Sequence, residues 1–329
     1  MATSLNCRSI YMIAPPKKSV VVLDSIDRSI LWQLDANCRI TYENLSRKLG
    51  ITANAVRKRI TNLIDSGVII RFMVLPSNAL MNLEFVSGVL HTNGRENRQD
   101  TVEILGSNPV IHHVSPLVTT RGGAYHFFGQ YSGAEMLAQL GSFLRGLPQA
   151  EEVKFNTVLY HRGEKVKLTK RQMRVLRVLM DDPRMQISEV ARKAQLPVRA
   201  TRKALQELEE EGGVRFTVRW DVNTIGNTSF WACIEWAERD SDHTQIIDWL
   251  NREFPEEYWT YFVAAAEPLV YTRFVVHDLL DVDRITNQII DAPVVKSLQT
   301  LVCYSTYDFP WYGEAKLREM LAQEGNEDA

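Results

Sequence analysis

Apolar residues recur at helical spacing from Leu23 onward. Ile26, Ile30, Leu31 and Leu34 make one stripe, Leu45 and Leu49 a second, and Val56, Ile60, Leu63 and Ile64 a third. Residues three and four apart share a helix face, so the pattern predicts three short amphipathic helices in succession. The stretch GVIIRFMVL (67–75) then turns strand-like. Segments near 84–91, 110–119, 123–131 and 152–160 are rich in Val, Phe, Tyr and Thr, while 97–106 and 133–146 read as helices. Strand, helix, strand, strand, helix, strand is the ferredoxin-like order.

The whole pattern occurs twice. A gapless offset of 145 residues pairs Leu23 with Leu168, Leu31 with Leu176, Arg39 with Arg184, Arg47-Lys48 with Arg192-Lys193, Arg57-Lys58 with Arg202-Lys203, Leu63 with Leu208 and Gly67 with Gly212. Strands near 229–237, 257–265, 269–277 and 294–305, with helices near 242–253 and 279–291, complete the second copy. Self-similarity at a fixed period marks a repeated structural unit. Three helices followed by a β-wing is the winged helix-turn-helix arrangement. The expected fold is therefore α+β: two copies of a winged helix-turn-helix, each followed by a ferredoxin-like (βαββαβ) domain. The expected boundaries are an N-terminal extension (1–20), winged helices at 21–76 and 161–222, ferredoxin-like domains at 77–160 and 223–309, and a C-terminal tail (310–329).

Composition narrows the function. The chain has 329 residues, 45% hydrophobic and 24% charged, enough for two or more globular cores. Its formal net charge of −2 means that any affinity for nucleic acid has to come from local patches. Cys7, Cys38, Cys233 and Cys303 stand far apart with no C-x-x-C pair, which fits unpaired thiols in a reducing cytoplasm. Apolar runs fall well short of the roughly 18 residues that suggest a spanning helix, so no membrane partner is expected.

Positive charge is concentrated locally. Between Ser46 and Ile60 stand five basic residues and no acidic one, and 191–206 repeats that count. Gly50 suits a tight turn, and Thr52 suits the N-cap of a helix starting at Ala53. With the apolar stripe facing inward, Asn54, Arg57, Lys58 and Thr61 share the opposite face. Asn can pair with adenine, Arg or Lys with guanine, and all reach phosphate. The expected DNA contacts are Arg47, Lys48, Thr52, Asn54, Arg57, Lys58, Arg59 and Thr61, then Arg192, Lys193, Arg199, Arg202 and Lys203 in the second copy. That copy departs in three places: Pro197 stands for Thr52, Ala204 for Arg59, and ELEEE (207–211) puts carboxylates at the helix end.

Signals for catalysis are weak. His112 and His113 are adjacent on a predicted strand, where alternation would pack one and expose the other. His91, His126, His161, His243 and His277 lack ligand spacing, so no metal, cofactor or catalytic group is expected. The aromatics of the second copy, among them Phe230, Trp231, Trp249, Trp259 and Tyr271, either fill a core or an interface or line an apolar ligand cavity.

Residues 23–70 resemble the Lrp/AsnC family of transcription regulators. The resemblance rests on Leu23-Asp24, Asp27, Ile30-Leu31, Leu34, Arg39, Leu45, Lys48 to Ile51, Arg59-Ile60, Leu63 and Gly67-Val68-Ile69. The ferredoxin-like part resembles the family's regulatory module, called RAM. The resemblance implies a sequence-preferring regulator of double-stranded DNA, a homodimer or higher homo-oligomer through RAM-like sheets, and a small-molecule effector, an amino acid or other metabolite. Half-sites about one helical turn, roughly 34 Å, apart or a multiple of it would follow. The family's Gly-x-x-Asp turn reads Gly123-Ala124-Tyr125-His126 here, so Gly122, Gly123 and His126 are the effector-binding candidates. Two alternatives stay open: an architectural protein that coats DNA without sequence preference, and an enzyme like the sirohaem decarboxylases, which resemble the same family in fold.

Overall fold

The computed structural model describes residues 21–326 apart from 121, 161, 226–227 and 238–242, and omits the side chains of 324–326. The expected N-terminal extension (1–20) and His161 lie outside the described residues.

Copy one opens with α1 (Ser25–Ala36), α2 (Tyr42–Leu49) and α3 (Ala53–Asp65). Each starts at a side-chain cap, Asp24 accepting from the Asp27 N–H, Thr41 from Asn44 and Thr52 from Ala55. These caps satisfy donors that the first turn leaves unpaired. Ile30, Leu31, Leu34, Leu45, Val56, Ile60 and Leu63 form the core between the helices. Ile64 was expected there but is 43% exposed. One residue is about 100° of helical turn, so Ile64 lies on the flank of the line that runs through Val56, Ile60 and Leu63.

The chain continues through β1 (Ile69–Pro76), α4 (Asn78–Met81), β2 (Glu84–Thr92), α5 (Arg98–Ser107), β3 (Ile111–Pro116), β4 (Gly123–Tyr131), α6 (Gly133–Arg145) and β5 (Ala150–Leu159). Copy two repeats the series as α7 (Lys170–Leu179), α8 (Ile187–Lys193), α9 (Val198–Glu210), β6 (Val214–Trp220), α10 (Val222–Ile225), β7 (Thr228–Trp236), α11 (His243–Glu253), β8 (Tyr258–Ala264), β9 (Leu269–Val276), α12 (Leu279–Ile290) and β10 (Val295–Cys303). Where copy one ends α2 on Gly50 at φ +67, copy two uses Gln195 at φ +54. A left-handed non-glycine costs about 1 kcal/mol, so the second turn is held by its surroundings.

The two wings pair with each other. Strands β1 and β6 run antiparallel from Ile69↔Trp220 to Pro76↔Val214. Val74 of β1, together with Cys38, packs among Val175, Leu176 and Leu179 of the second helical unit. In return, Val218 of β6 packs among Ile30, Leu31 and Leu34 of the first. The repeated arginines fasten the same seam. Arg39 donates to the carbonyls of Pro183 and Met185, and Arg184 lies 5.1 Å from the Tyr42 ring centre and 5.0 Å from that of Phe72.

The remaining strands form one nine-stranded sheet in the order β10-β7-β9-β8-β5-β2-β4-β3-β11, where β11 is Tyr307–Asp308. The copies meet where β5 pairs β8 at Val158↔Ala264 and Leu159↔Val263. The far edges meet as well, since Leu117 bridges Cys303, the Val118 N–H donates to Val302 and the Tyr304 N–H to Pro116. The sheet thus curls nearly closed, with Phe85, Phe128, Trp231, Phe262 and Leu301 on its inner face. Helices α5 and α6 cover the outer face of copy one, and α11 and α12 that of copy two. The two RAM-like sheets are thus joined within one chain, where the covalent tether makes the pairing intramolecular and its effective concentration high.

Residues 310–329, expected as a tail, hold α13 (Tyr312–Asn326). Leu317 and Leu321 are buried in the core of α7–α9, and Glu314 accepts both guanidinium ends of Arg71 at 3.0 and 2.6 Å. The expected outcome of Leu317→Ala is a loss of about 2–5 kcal/mol in urea unfolding. A mere tail would show no change.

Candidate nucleic-acid interface and internal cavity

On α3, Asn54, Arg57, Lys58 and Thr61 are all exposed, as are Arg199, Arg202, Lys203 and Gln206 on α9. Both sets stand on the side of the helix away from its buried stripe. Arg57 leans over Tyr42 at 5.4 Å from its ring centre. Among the described residues, Arg199 and Arg202 carry no ion pair, whereas Lys203 pairs Glu207 at 3.7 Å. Lys48 donates to Gln33 at 2.6 Å, and Arg47 to Asn44. Arg192 and Lys193 both approach Glu189, at 3.9 and 3.4 Å. Exposed pairs of this kind hold little energy and exchange readily for phosphate.

Two expected contacts have other work. The Arg59 guanidinium is bound by Asp24 and Asp27 at 2.8 and 2.7 Å, which ties α3 to the start of α1. Both hydrogen-bonded carboxylates hold its pKa above the ordinary value. Thr52 spends its hydroxyl oxygen on the cap at Ala55, 3.2 Å away. The carboxylates ending α9 are partly turned inward, with Glu209 3.6 Å from Arg39 and Glu211 accepting from Gln172.

The effector candidates do not converge. Gly122, at φ +69, closes a hairpin in which an added Cβ would sit 2.3 Å from the Thr92 carbonyl, so backbone geometry accounts for it. Gly123 lies beside Thr92 and Glu96, whereas His126 is wholly buried, with Nε2 3.0 Å from Ser87 and its ring 5.0 Å from that of Trp231.

The expected split of His112 and His113 into one packed and one exposed ring is also corrected. Both are buried, at 1% and 9% exposure, and both line one cavity. A β-bulge between Ile111 and His113 breaks the alternation on which the expectation relied. The cavity holds about 380 Å³ and lies between the β1–β6 ribbon and the inner face of the curled sheet. Asp308 accepts from His113 Nδ1 at 2.9 Å and from Arg219. Arg273 donates to His113 Nε2 at 3.1 Å and to the Thr306 hydroxyl at 2.7 Å. One proton on Nδ1 satisfies that whole chain. Burial, with the charges of Arg273 and Arg219 added, holds His113 well below its ordinary value. Burial likewise lowers His112, and pushes His126 down to about 3.

Sequence reasoning missed Arg215, Arg219, Arg273 and Asp308, which line this cavity. A signal was there, for Arg273 stands inside the apolar run YTRFVV, and an arginine in such a run asks for a buried partner. Among the described residues, no group of three or more His, Cys, Asp or Glu is placed to hold a metal, and no helix is long and apolar enough to cross a membrane.

A family model for winged helix-turn-helix DNA-binding matches residues 23–70 and again 168–215. An HTH-type transcriptional regulator of Pyrococcus horikoshii is 32% identical over 119 residues, which are 36% of this chain and 73% of that protein. The regulator LrpA of Bacillus subtilis is 42% identical over 48 residues, 15% of this chain and 35% of that one. Coverage of the curated relatives is uneven, and a further archaeal regulator is spanned over 46% of its length. The crystal structure of the siroheme decarboxylase NirDL aligns over 91% of this chain and 99% of its own, with a TM-score of 0.56 and 12% identity, which is a likeness of fold.

The buried histidines set a pH dependence. In the unfolded chain each takes a proton near its ordinary value of 6.5, whereas His126 in the folded chain does so only near 3. Below 6.5 the unfolded state therefore binds more protons, and stability, full above that pH, falls as the pH falls. Urea midpoints should drop between pH 7 and pH 5, and His126→Gln should flatten the slope by up to about 1.4 kcal/mol per pH unit.

Proposed function

Because the chain belongs to the Lrp/AsnC family of helix-turn-helix transcriptional regulators, in a tandem form, we propose that it is a sequence-preferring DNA-binding regulator in which one chain supplies both recognition helices, α3 and α9. The observation that carries the proposal is the exposed cationic face that each helix presents at equal positions in the repeat. Asn54, Arg57, Lys58 and Thr61 read one half-site, and Arg199, Arg202 and Lys203 the other. Arg47, Lys48, Arg192 and Lys193 hold phosphate, which fixes register without reading sequence. Arg59 and Thr52 act indirectly, by setting the angle and the start of α3. The protein works where the genome is, in the cytoplasm, and a small metabolite modulates it. An enzymatic reading has only the likeness of fold to NirDL in its favour, and at 12% identity no residue role is carried across.

The test is binding to a genomically selected duplex and to a random one across a salt series. Arg57→Ala with Lys58→Ala should weaken binding and lower the salt slope by about 1 for each phosphate that is no longer neutralised. Arg59→Ala should cost stability while leaving that slope unchanged. Equal affinity for both duplexes at every salt concentration would favour the architectural alternative, and unchanged binding by the double variant would remove α3 as a reader.

A further inference from the structure

The cavity between the ribbon and the sheet has an unmet demand for acceptors. Arg273 is 5% exposed, and its partners His113, Ser229 and Thr306 are all neutral. Its Nε–H, and the indole N–H groups of Trp231, Trp259 and Trp311, have no partner among the described residues. Indole nitrogen and guanidinium only donate. His112, 1% exposed, finds no partner for either ring nitrogen among the described residues and stacks on Trp311 at 3.9 Å between ring centres. Three guanidinium groups line the space, those of Arg215, Arg219 and Arg273, against two carboxylates, Asp35 and Asp308. Asp308 is engaged by Arg219 and Asp35 by Arg215, and although the field of buried Asp221 reaches Arg273, none of the ion pairs among the described residues places a carboxylate in contact with it. A buried cation with no carboxylate in contact is unfavourable, and a fold bears it where something arrives to offset it.

Shape and charge together limit what that is. The walls beside Arg273 are flat rings, with Trp231 under the guanidinium at 5.4 Å and Phe128 and Phe262 stacked at 4.3 Å. A volume near 380 Å³ falls at the lower end of the roughly 300–1,000 Å³ usual for metabolite pockets. We propose that this cavity binds a small planar organic carboxylate, its carboxylate on Arg273 and its ring, bearing further acceptors, between the tryptophans. The site differs from the hairpin glycines that the sequence pointed to, and it draws Arg273 from copy two and His112 and His113 from copy one. As the effector site of a regulator it rests on the function proposed above. As a ligand site it does not.

Quinoline-2-carboxylate carries the stated features, and quinoline-2-carboxamide is the same shape without the charge. Calorimetry and tryptophan fluorescence on the full chain, without DNA, are expected to give saturable binding of one carboxylate per chain, with the amide at least about tenfold weaker. Arg273→Met should abolish the preference for the acid and leave the ligand-free protein as stable as before or more so, since a buried uncompensated charge is removed. Equal binding of acid and amide, retained preference in the variant, or no saturable binding of either compound overturns the proposal. Should Arg273→Met fail to fold, the acid–amide comparison on the unaltered chain still decides. DNA affinity is read in a separate titration, so failure of the ligand site and failure of the regulator reading are told apart.

Discussion

Strands β1 and β6 lie side by side, and each places a side chain in the core beneath the other's helices. Neither winged helix can move far without breaking the apolar packing of its partner. Arg39 and Arg184 reinforce the seam at equivalent positions of the repeat, the first through carbonyls and the second over aromatic rings. Helix α13 then closes the second unit by burying Leu317 and Leu321. From this exchange follow the fixed relation between α3 and α9, the joining of both sheets in one chain, and the enclosed space between ribbon and sheet.

Arginine does three different jobs in this chain, and its surroundings separate them. Arg57, Arg199 and Arg202 stand in solvent, where a charge is inexpensive and accessible to a polyanion. Arg39 and Arg184 are half-buried and join the units. Arg219 and Arg273 line the cavity, and desolvation pushes Arg219 down to about 9, still charged at neutral pH. Equivalent positions of the two copies have diverged here, since Arg273 stands where copy one has Phe128, and their strand partners are Thr260 and His113. Two separate identical subunits would carry the same residue at both places. Covalent fusion lets one cavity hold unlike halves.

Much of the fold was legible in the sequence. The helical stripes, the turn to strands after Gly67 and the ferredoxin-like order all follow from local periodicity, which secondary structure obeys wherever one face is buried. The exposed faces of α3 and α9 were likewise legible from spacing alone. What escaped depends on partners far away in the chain. Nothing near Arg59 marks Asp24 and Asp27 as its partners, and the bulge that turns His112 and His113 toward one cavity leaves no trace in alternation. Helix α13 shows only two deeply buried leucines, Leu317 and Leu321, too few to stand out as a stripe. The pairing of β5 with β8 belongs to the tandem arrangement and cannot be read from either copy singly.

The proposal that one chain supplies both DNA-reading helices requires α3 and α9 to engage the same duplex at once. Sedimentation of the protein with a duplex bearing two selected half-sites, combined with footprinting of the same complex, tests this. One chain per duplex with both half-sites protected is the predicted result. Two chains per duplex, each guarding a single half-site, would contradict it.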